Sequence, residues 1–218
     1  VHGGDGDDVV RGASGRDALH GDAGIDQIYG DGGDDNLFGD AGVDNAGTQS
    51  LVGQRLYGGA GRDSLFAYAP TSDTNTEKDL IGEQLFGGSG GDFLFGNLRQ
   101  DLLVGESGND FISGDALRGP RYVDNQIADI EGANDELRGG TGEDQLLGGG
   151  GQDIIWGGAD TDWLEGQNGN DLLLGGGGID IIVLDVGPPP SQTDPVIGVR
   201  PFDELGDEFH GHFGNESE

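Results

Sequence analysis

Residues 139–147 read GGTGEDQLL and residues 148–156 read GGGGQDIIW. Both nonapeptides set glycine in the first, second and fourth places, Asp144 or Asp153 in the sixth, and Leu146 or Ile155 in the eighth. The frame extends outward from this pair. Residues 3–11 (GGDGDDVVR), 12–20 (GASGRDALH) and 21–29 (GDAGIDQIY) keep it, and 30–38 and 39–47 continue it. It returns at 58–66 and 87–113, then runs as six units from 130 to 183, the first being the degenerate IEGANDELR. The sixth places hold Asp8, Asp17, Asp26, Asp35, Asp44, Asp63, Asp92, Asp101, Asp110, Asp135, Asp144, Asp153, Asp162, Asp171 and Asp180. The eighth place is Val, Leu or Ile throughout, except for Ala46. A fixed period of this kind is the signature of a repeat architecture.

Composition narrows the partners. Among 218 residues, 48 are Gly, 42 are Asp or Glu and 10 are Lys or Arg, a formal net charge of -32. A collagen-like rod needs Gly at every third position, which Asp34-Asp35-Asn36-Leu37-Phe38 breaks. An acidic disordered segment is the other reading of such a composition. Nucleic acid is excluded as a partner, because phosphate binding needs a cationic footprint; anionic membrane surfaces are disfavoured for the same reason. The remaining partners are cations. No apolar run approaches the length of a transmembrane segment, and the absence of Cys closes disulfide and thiolate chemistry. The chain contains no Met and begins at Val1, so it reads as a piece of a longer polypeptide.

Each nonapeptide has two halves. The Gly- and Asp-rich first six residues suit a turn with positive φ and close backbone approach. The last three put one aliphatic between two variable residues, a short strand with a single inward side chain. Two units then make one coil with a strand on each side, and coils stack at about 4.8 Å around a thin column of Leu, Ile and Val. Sixth-place carboxylates on neighbouring rungs would repel by several tenths to a few kcal/mol per pair. Against this stands roughly 1.5–3 kcal/mol per buried aliphatic, before entropy. A divalent cation between rungs reverses the sign of the interaction. Hard oxygen donors, Asp carboxylates and turn carbonyls, select Ca²⁺ over softer metals, which makes binding and folding one equilibrium.

At these residues the sequence resembles the repeats-in-toxin (RTX) family of haemolysin-type calcium-binding nonapeptides, of pattern G-G-x-G-x-D-x-U-x; residues 139–147 and 148–156 match it fully. The resemblance implies an all-β fold, a parallel β-roll over residues 1–186, with Ca²⁺ held between equivalent turns two units apart. It implies metal ligation by Asp8, Asp17, Asp26, Asp35, Asp44, Asp63, Asp92, Asp101, Asp110, Asp144, Asp153, Asp162, Asp171 and Asp180. It also implies an extracellular or cell-surface location, since members are usually exported regions of toxins, proteases, lipases, adhesins or surface-layer proteins. Arg99 and Asp160 depart from it at the fourth place, and the unit from Ile130 lacks its first glycines.

Three stretches break the frame: 48–57, 67–86 and 114–129. Leu56 and Leu85 stand where eighth-place aliphatics belong, so each stretch reads as a unit whose turn became a longer loop while its strand survived. Counting these gives seventeen units, about 40 Å of column, with the altered ones sixth, eighth and twelfth. All are even, which puts the three loops on one edge. The other edge is then an uninterrupted row of Asp8, Asp26, Asp44, Asp63, Asp92, Asp110, Asp144, Asp162 and Asp180 enclosing about eight ions. The even edge keeps sites near Asp17/Asp35 and Asp153/Asp171, with Asp135 open, for roughly ten Ca²⁺ in all.

The ninth-place aromatics Tyr29, Phe38, Phe66, Phe95 and Trp156 are either strand cover or a sugar-binding stripe. The segment Leu117–Tyr122, with two of the ten basic residues, is either a surface insertion or a contact for an acidic partner. His210 and His212 have a transition-metal spacing without a third ligand. Residues 187–218 comprise a Pro-rich linker and an acidic tail, a roll cap or the start of a following domain, in which Phe202, Leu205, Phe209 and Phe213 fit a short amphipathic helix. No H-E-x-x-H or G-x-S-x-G motif occurs, so no catalysis is expected of this segment. The leading expectation is a calcium-dependent rigid segment of an exported protein. The alternatives are a surface-layer or adhesin segment that makes contacts through the loops, and the accessory roll of a secreted hydrolase, with neighbouring domains or a surface polymer as partners.

Overall fold

A computed structural model describes residues 1–39, 53–67, 81–115 and 132–184, and the backbone of 208–211. In chain order the strands are β1 (His2–Asp5), β2 (Val9–Ser14), β3 (Ala18–Ala23), β4 (Gln27–Gly32), β5 (Asn36–Phe38), β6 (Arg55–Ala60), β7 (Ser64–Phe66), β8 (Ile81–Ser89), β9 (Phe93–Phe95), β10 (Gln100–Ser107), β11 (Phe111–Ser113), β12 (Glu136–Thr141), β13 (Gln145–Gly151), β14 (Ile154–Ala159), β15 (Trp163–Gly169), β16 (Leu172–Gly177), β17 (Ile181–Leu184) and β18 (Glu208–Gly211). Odd strands and β18 form one parallel sheet, even strands the other, so the chain alternates sheets at each turn. This is the parallel β-roll that the period demands. Among the described residues there is no helix, and none long and apolar enough to cross a membrane.

The column between the sheets is made by the eighth places. Leu19, Ile28, Leu37, Leu56, Leu65, Leu85, Leu94, Leu103, Ile112, Leu137, Leu146, Ile155 and Leu164 are fully buried, with Val10, Leu173 and Ile182 nearly so. In-register pairing sets each above its counterpart two units on, as in Leu37↔Leu65↔Leu94. Among the described residues the apolar core is one aliphatic per crossing with Ala67 added beside it, and its continuity depends on every rung supplying one.

The register corrects the unit count. Ile28 pairs with Leu56 and Leu37 with Leu65, so the chain crosses only once between β5 and β7. Residues 39–57 therefore supply one rung strand, not two. Leu56 follows Ile28 in the column, and Ala46 lies outside the described residues. Two consequences follow. The three breaks each fall between an odd strand and the next even one (β5 and β6, β7 and β8, β11 and β12), so all three lie on one edge, as expected. The parity of everything before Leu56 is reversed, however, which moves Asp8 and Asp26 off the row that contains Asp63. Asp44 lies outside the described residues, as do Leu117–Tyr122 and the polyproline stretch.

The turns stack as tightly as the strands. The amide of Gly33 donates to the carbonyl of Ala60 one rung on, at 2.7 Å, and that of Gly61 to Ser89 at 2.8 Å. Gly33 has φ +124, and a Cβ there would run into the carbonyl of Gly15 on the rung before. At the second place Asp22 and Asp31 take the left-handed region (φ 66 and 69), as does Asp160 at a fourth place (φ 80); Asp tolerates it better than most residues. The departure at Asp160 therefore leaves the turn intact.

At the far end, β18 pairs in parallel with β17, Phe209 opposite Ile182. The helix expected through Phe209 is not formed there: residues 208–211 are extended and continue the sheet, because the last rung offers a free strand edge. Leu94→Ala, in the middle of the column, is expected to lower the stability of the folded chain by about 2–5 kcal/mol in urea unfolding. Gly33→Ala is expected to cost more than about 1 kcal/mol by the same measurement.

Candidate metal centres along two turn edges

Every sixth-place Asp among the described residues ends a turn and opens a strand, which leaves its side chain inside the stack of turns. On the edge that leads into β3, β5, β7, β9, β11, β13, β15 and β17 the row is Asp17, Asp35, Asp63, Asp92, Asp110, Asp144, Asp162 and Asp180. The amide of each donates to Oδ1 of the next, at 2.8–3.0 Å. This edge carries none of the three breaks. The other edge holds Asp8, Asp26, Gln54, Glu83, Asp101, Asp135, Asp153 and Asp171. The same amide-to-Oδ1 bonds join Asp8 to Asp26, Asp101 to Asp135, Asp135 to Asp153 and Asp153 to Asp171, at 2.8–2.9 Å.

One carboxylate oxygen is thus fixed by backbone and the other is left over. Oδ2 of Asp8, Asp17, Asp26, Asp35, Asp63, Asp92, Asp110, Asp135, Asp144, Asp153 and Asp162 is buried without a hydrogen-bond partner. Each points at the first-place glycine of its own unit. A Cβ on Gly58 would sit 2.5 Å from both Asp63 Oδ2 and the carbonyl oxygen of Gly87 on the next rung. The glycine keeps that space open, and what lines it is oxygen: a carboxylate from one rung, a carbonyl from the next. Buried carboxylate oxygens with no donor to meet them, set beside a backbone carbonyl of the next rung, suit a hard cation.

Electrostatics agree. Burial raises Asp26, Asp63, Asp92, Asp110, Asp144 and Asp171 from 3.8 to about 6, against the pull of the neighbouring amide. Asp162 rises to about 8 and Asp153 to about 9, burial again the main cause, with the adjacent rungs' carboxylates adding to it. Asp135, buried and facing Asp101, Asp115 and Asp153, stands well above the ordinary value. Asp135 therefore belongs to the row, although its unit is degenerate.

The second edge differs from the first around Arg99. Asp101 Oδ1 accepts from the Glu83 amide and Oδ2 from the Asn97 amide, both at 2.6 Å. Asn97 Nδ2 donates to Glu83 Oε2 at 2.7 Å, and Arg99 Nη1 lies 3.9 Å from Glu83 Oε1. A guanidinium, buried with its carboxylate, thus brings positive charge to the turn where the fourth-place glycine is missing. Gln54 and Glu83 hold sixth-place positions that the sequence reading passed over. The signal was present: each stands two residues before an aliphatic, Leu56 or Leu85, already assigned to the eighth place. Asp115 was also missed, and nothing marks it, since Asp22 and Asp31 occupy the same second place at the surface.

The ninth-place rings form ladders. His2, His20, Phe38, Phe66 and Phe95 stack with centroids 4.5–5.1 Å apart, and Tyr29, Tyr57 and Phe86 at 4.8 and 5.1 Å. Ring faces covered by ring faces cannot stack on a sugar, which favours strand cover over a sugar-binding stripe. The side chains of His210 and His212 lie outside the described residues.

Because folding raises these carboxyl pKa values, the metal-free folded state holds more protons than the unfolded chain between pH about 4 and about 9. Its stability is present below this window and is lost as pH rises through it. Under chelator, the far-ultraviolet strand signal is therefore expected to be stronger at about pH 4.5 than at about pH 8.

The model of the RTX calcium-binding nonapeptide repeat matches residues 1–19, 11–46, 54–69, 86–116, 131–164 and 153–182, more than half of the chain. No match is found among curated proteins. Repeats of this family and two parallel sheets stacked on aspartate-lined turns meet in the same residues: the chain belongs to the RTX calcium-binding nonapeptide repeat family and is a calcium-binding β-roll.

Proposed function

We propose that the roll folds only as calcium enters it and that it serves as a calcium-dependent rigid segment of a larger exported protein, with no chemistry of its own. The observation that carries this reading is the repeated buried Oδ2. An unpaired buried carboxylate is among the costliest groups a fold can contain, and this one recurs on nearly every rung. Ca²⁺ between rungs would be held by Oδ2 of Asp17, Asp35, Asp63, Asp92, Asp110, Asp144, Asp162 and Asp180 on one edge. On the other, Asp8, Asp26, Asp101, Asp135, Asp153 and Asp171 would hold it, the turn carbonyls completing both sets. The amide-linked neighbours on the two edges supply about ten such positions, with Asp44 left outside the set.

The bound ion supplies charge neutralisation. The residues supply its placement: backbone amides orient Oδ1, which turns Oδ2 towards the carbonyl opposite. RTX repeat proteins are typically secreted, which supports an extracellular or cell-surface setting. Affinity of about 10⁻⁴–10⁻³ M, usual for extracellular modules, would leave the chain unfolded in a calcium-poor cytosol and folded outside. The regular carboxylate rows are absorbed by the stacking, which supports a non-catalytic role. A second reading, contact with a neighbouring domain or surface polymer, is favoured by the placement of all three breaks on one edge.

Adding millimolar CaCl₂ to chelator-treated protein at neutral pH is expected to convert a disordered circular dichroism spectrum into a strand spectrum in one cooperative step, reversed by EDTA. An identical spectrum with and without chelator contradicts the coupling.

A further inference from the structure

The strand register brings a cluster of different chemistry together on the outer face of the sheet that contains β1. His2 on β1 pairs with His20 on β3, and Asp22 stands two residues further along β3 on the same face. The position opposite Asp22 is Gly4, which carries no side chain. The carboxylate, on a residue of φ 66, reaches back to His2 instead, with both oxygens 3.1 Å from Nδ1. The two imidazoles stack with centroids 4.5 Å and planes 12° apart, and Phe38 covers the far face of His20 at 4.6 Å. A ring nitrogen of each histidine and a carboxylate oxygen of Asp22 all lie within 4.8 Å of one another. Among the described residues this is the one group of three His, Asp or Glu side chains that converges so closely.

The other sheet holds the same three places with different residues. Arg11 and Tyr29 occupy the stacked ninth places and Asp31 the second place beyond them. There Arg11 donates to Asp31 at 3.1 Å with its guanidinium over the Tyr29 ring. That arrangement is a closed ion pair, because neither a guanidinium nor a phenol ring offers a nitrogen lone pair. With imidazole in both ninth places, the same geometry supplies two nitrogen donors and one oxygen donor. An ion pair with Asp22 would engage one imidazole only. The second, held in register by the sheet, completes a set of three ligands.

We propose that His2, His20 and Asp22 form a surface site for a divalent transition ion of the Zn²⁺ class, built from side chains outside the rows of sixth-place aspartates. Imidazole suits zinc, copper and nickel, whereas Ca²⁺ takes oxygen ligands. Three protein ligands leave the fourth position of a tetrahedral ion to water. His20 is half-buried between two rings, while His2 is exposed and turns about its side-chain bonds to aim its lone pair at the ion. The bound ion clamps β1 to β3. The inference does not depend on the calcium reading above.

The test titrates ZnCl₂ into the full chain against a fluorescent zinc indicator, at neutral pH and with CaCl₂ in excess so that calcium competes for the carboxylates. Wild type is expected to take up about one Zn²⁺ per chain in its tightest step. His20→Phe removes the nitrogen and keeps the ring ladder, since Phe38 fills the same place one rung on. Even a hydrogen-bond partner of a metal ligand is worth about tenfold in affinity, so this variant is expected to weaken the tightest step by at least that factor. Asp22→Asn, which tolerates the same backbone conformation, is expected to weaken it likewise. Asp31→Asn and the double variant His210→Ala/His212→Ala should both leave the step unchanged. A tight step that survives His20→Phe, or that disappears with His210 and His212, would overturn the proposal, as would a wild type that takes up no zinc. An equal loss in Asp31→Asn would reduce the effect to net charge and overturn it too. Should His20→Phe lack the strand spectrum of wild type, His2→Phe at the exposed position decides on the same terms.

Discussion

A carboxylate with one oxygen tied to the amide of the preceding rung and the other facing a buried, oxygen-lined gap is the unit on which this structure depends. The amide-to-Oδ1 bond makes the ladder, because it fixes both the spacing and the side-chain direction of each turn. The same bond creates the difficulty, since it delivers Oδ2 to a place where no protein donor can reach it. Two such carboxylates about 5 Å apart repel by about 3 kcal/mol at an effective dielectric of about 20. That is comparable to what one Leu in the column returns. The apolar core, a single file of aliphatics, therefore cannot carry the stack by itself, and protons or divalent ions must make up the difference.

The two edges meet this constraint differently. The edge from Asp17 to Asp180 repeats one solution without interruption, which suits filling by equivalent ions. The other is heterogeneous: a carboxamide at Gln54, a buried Arg99 beside Glu83 and Asp101, then the crowded carboxylates of Asp115, Asp135 and Asp153. All three breaks in the period fall on this edge. Long connections displace part of a turn, and the residues around each gap are where the pattern's own ligands are replaced by others.

Much of this was legible in the sequence, and the reasons are physical. A nine-residue period that couples an obligatory small residue, an acid and an aliphatic leaves little choice of fold, because each strand has only one inward position. Thirteen of the fourteen aspartates proposed as ligands lie in the rows, with Asp44 outside the described residues. The division of those aspartates between edges was misread because parity is a global property: one crossing fewer between Leu37 and Leu65 than the period implies reverses everything before it. Gln54 and Glu83 were recoverable by counting back from Leu56 and Leu85. Asp115 was not, since its inward turn depends on a break whose position relative to Gly132 only the folded chain reveals.

The central claim, that ions sit between rungs against Oδ2, is tested most directly by an anomalous difference map from crystals grown in calcium. The account predicts a peak between each neighbouring pair of carboxylates from Asp17 to Asp180, within ligand distance of Oδ2 and the facing first-place carbonyl. An ordered roll whose peaks lie only at outward carboxylates such as Asp22 and Asp31, with the gaps beside Oδ2 empty, would contradict it.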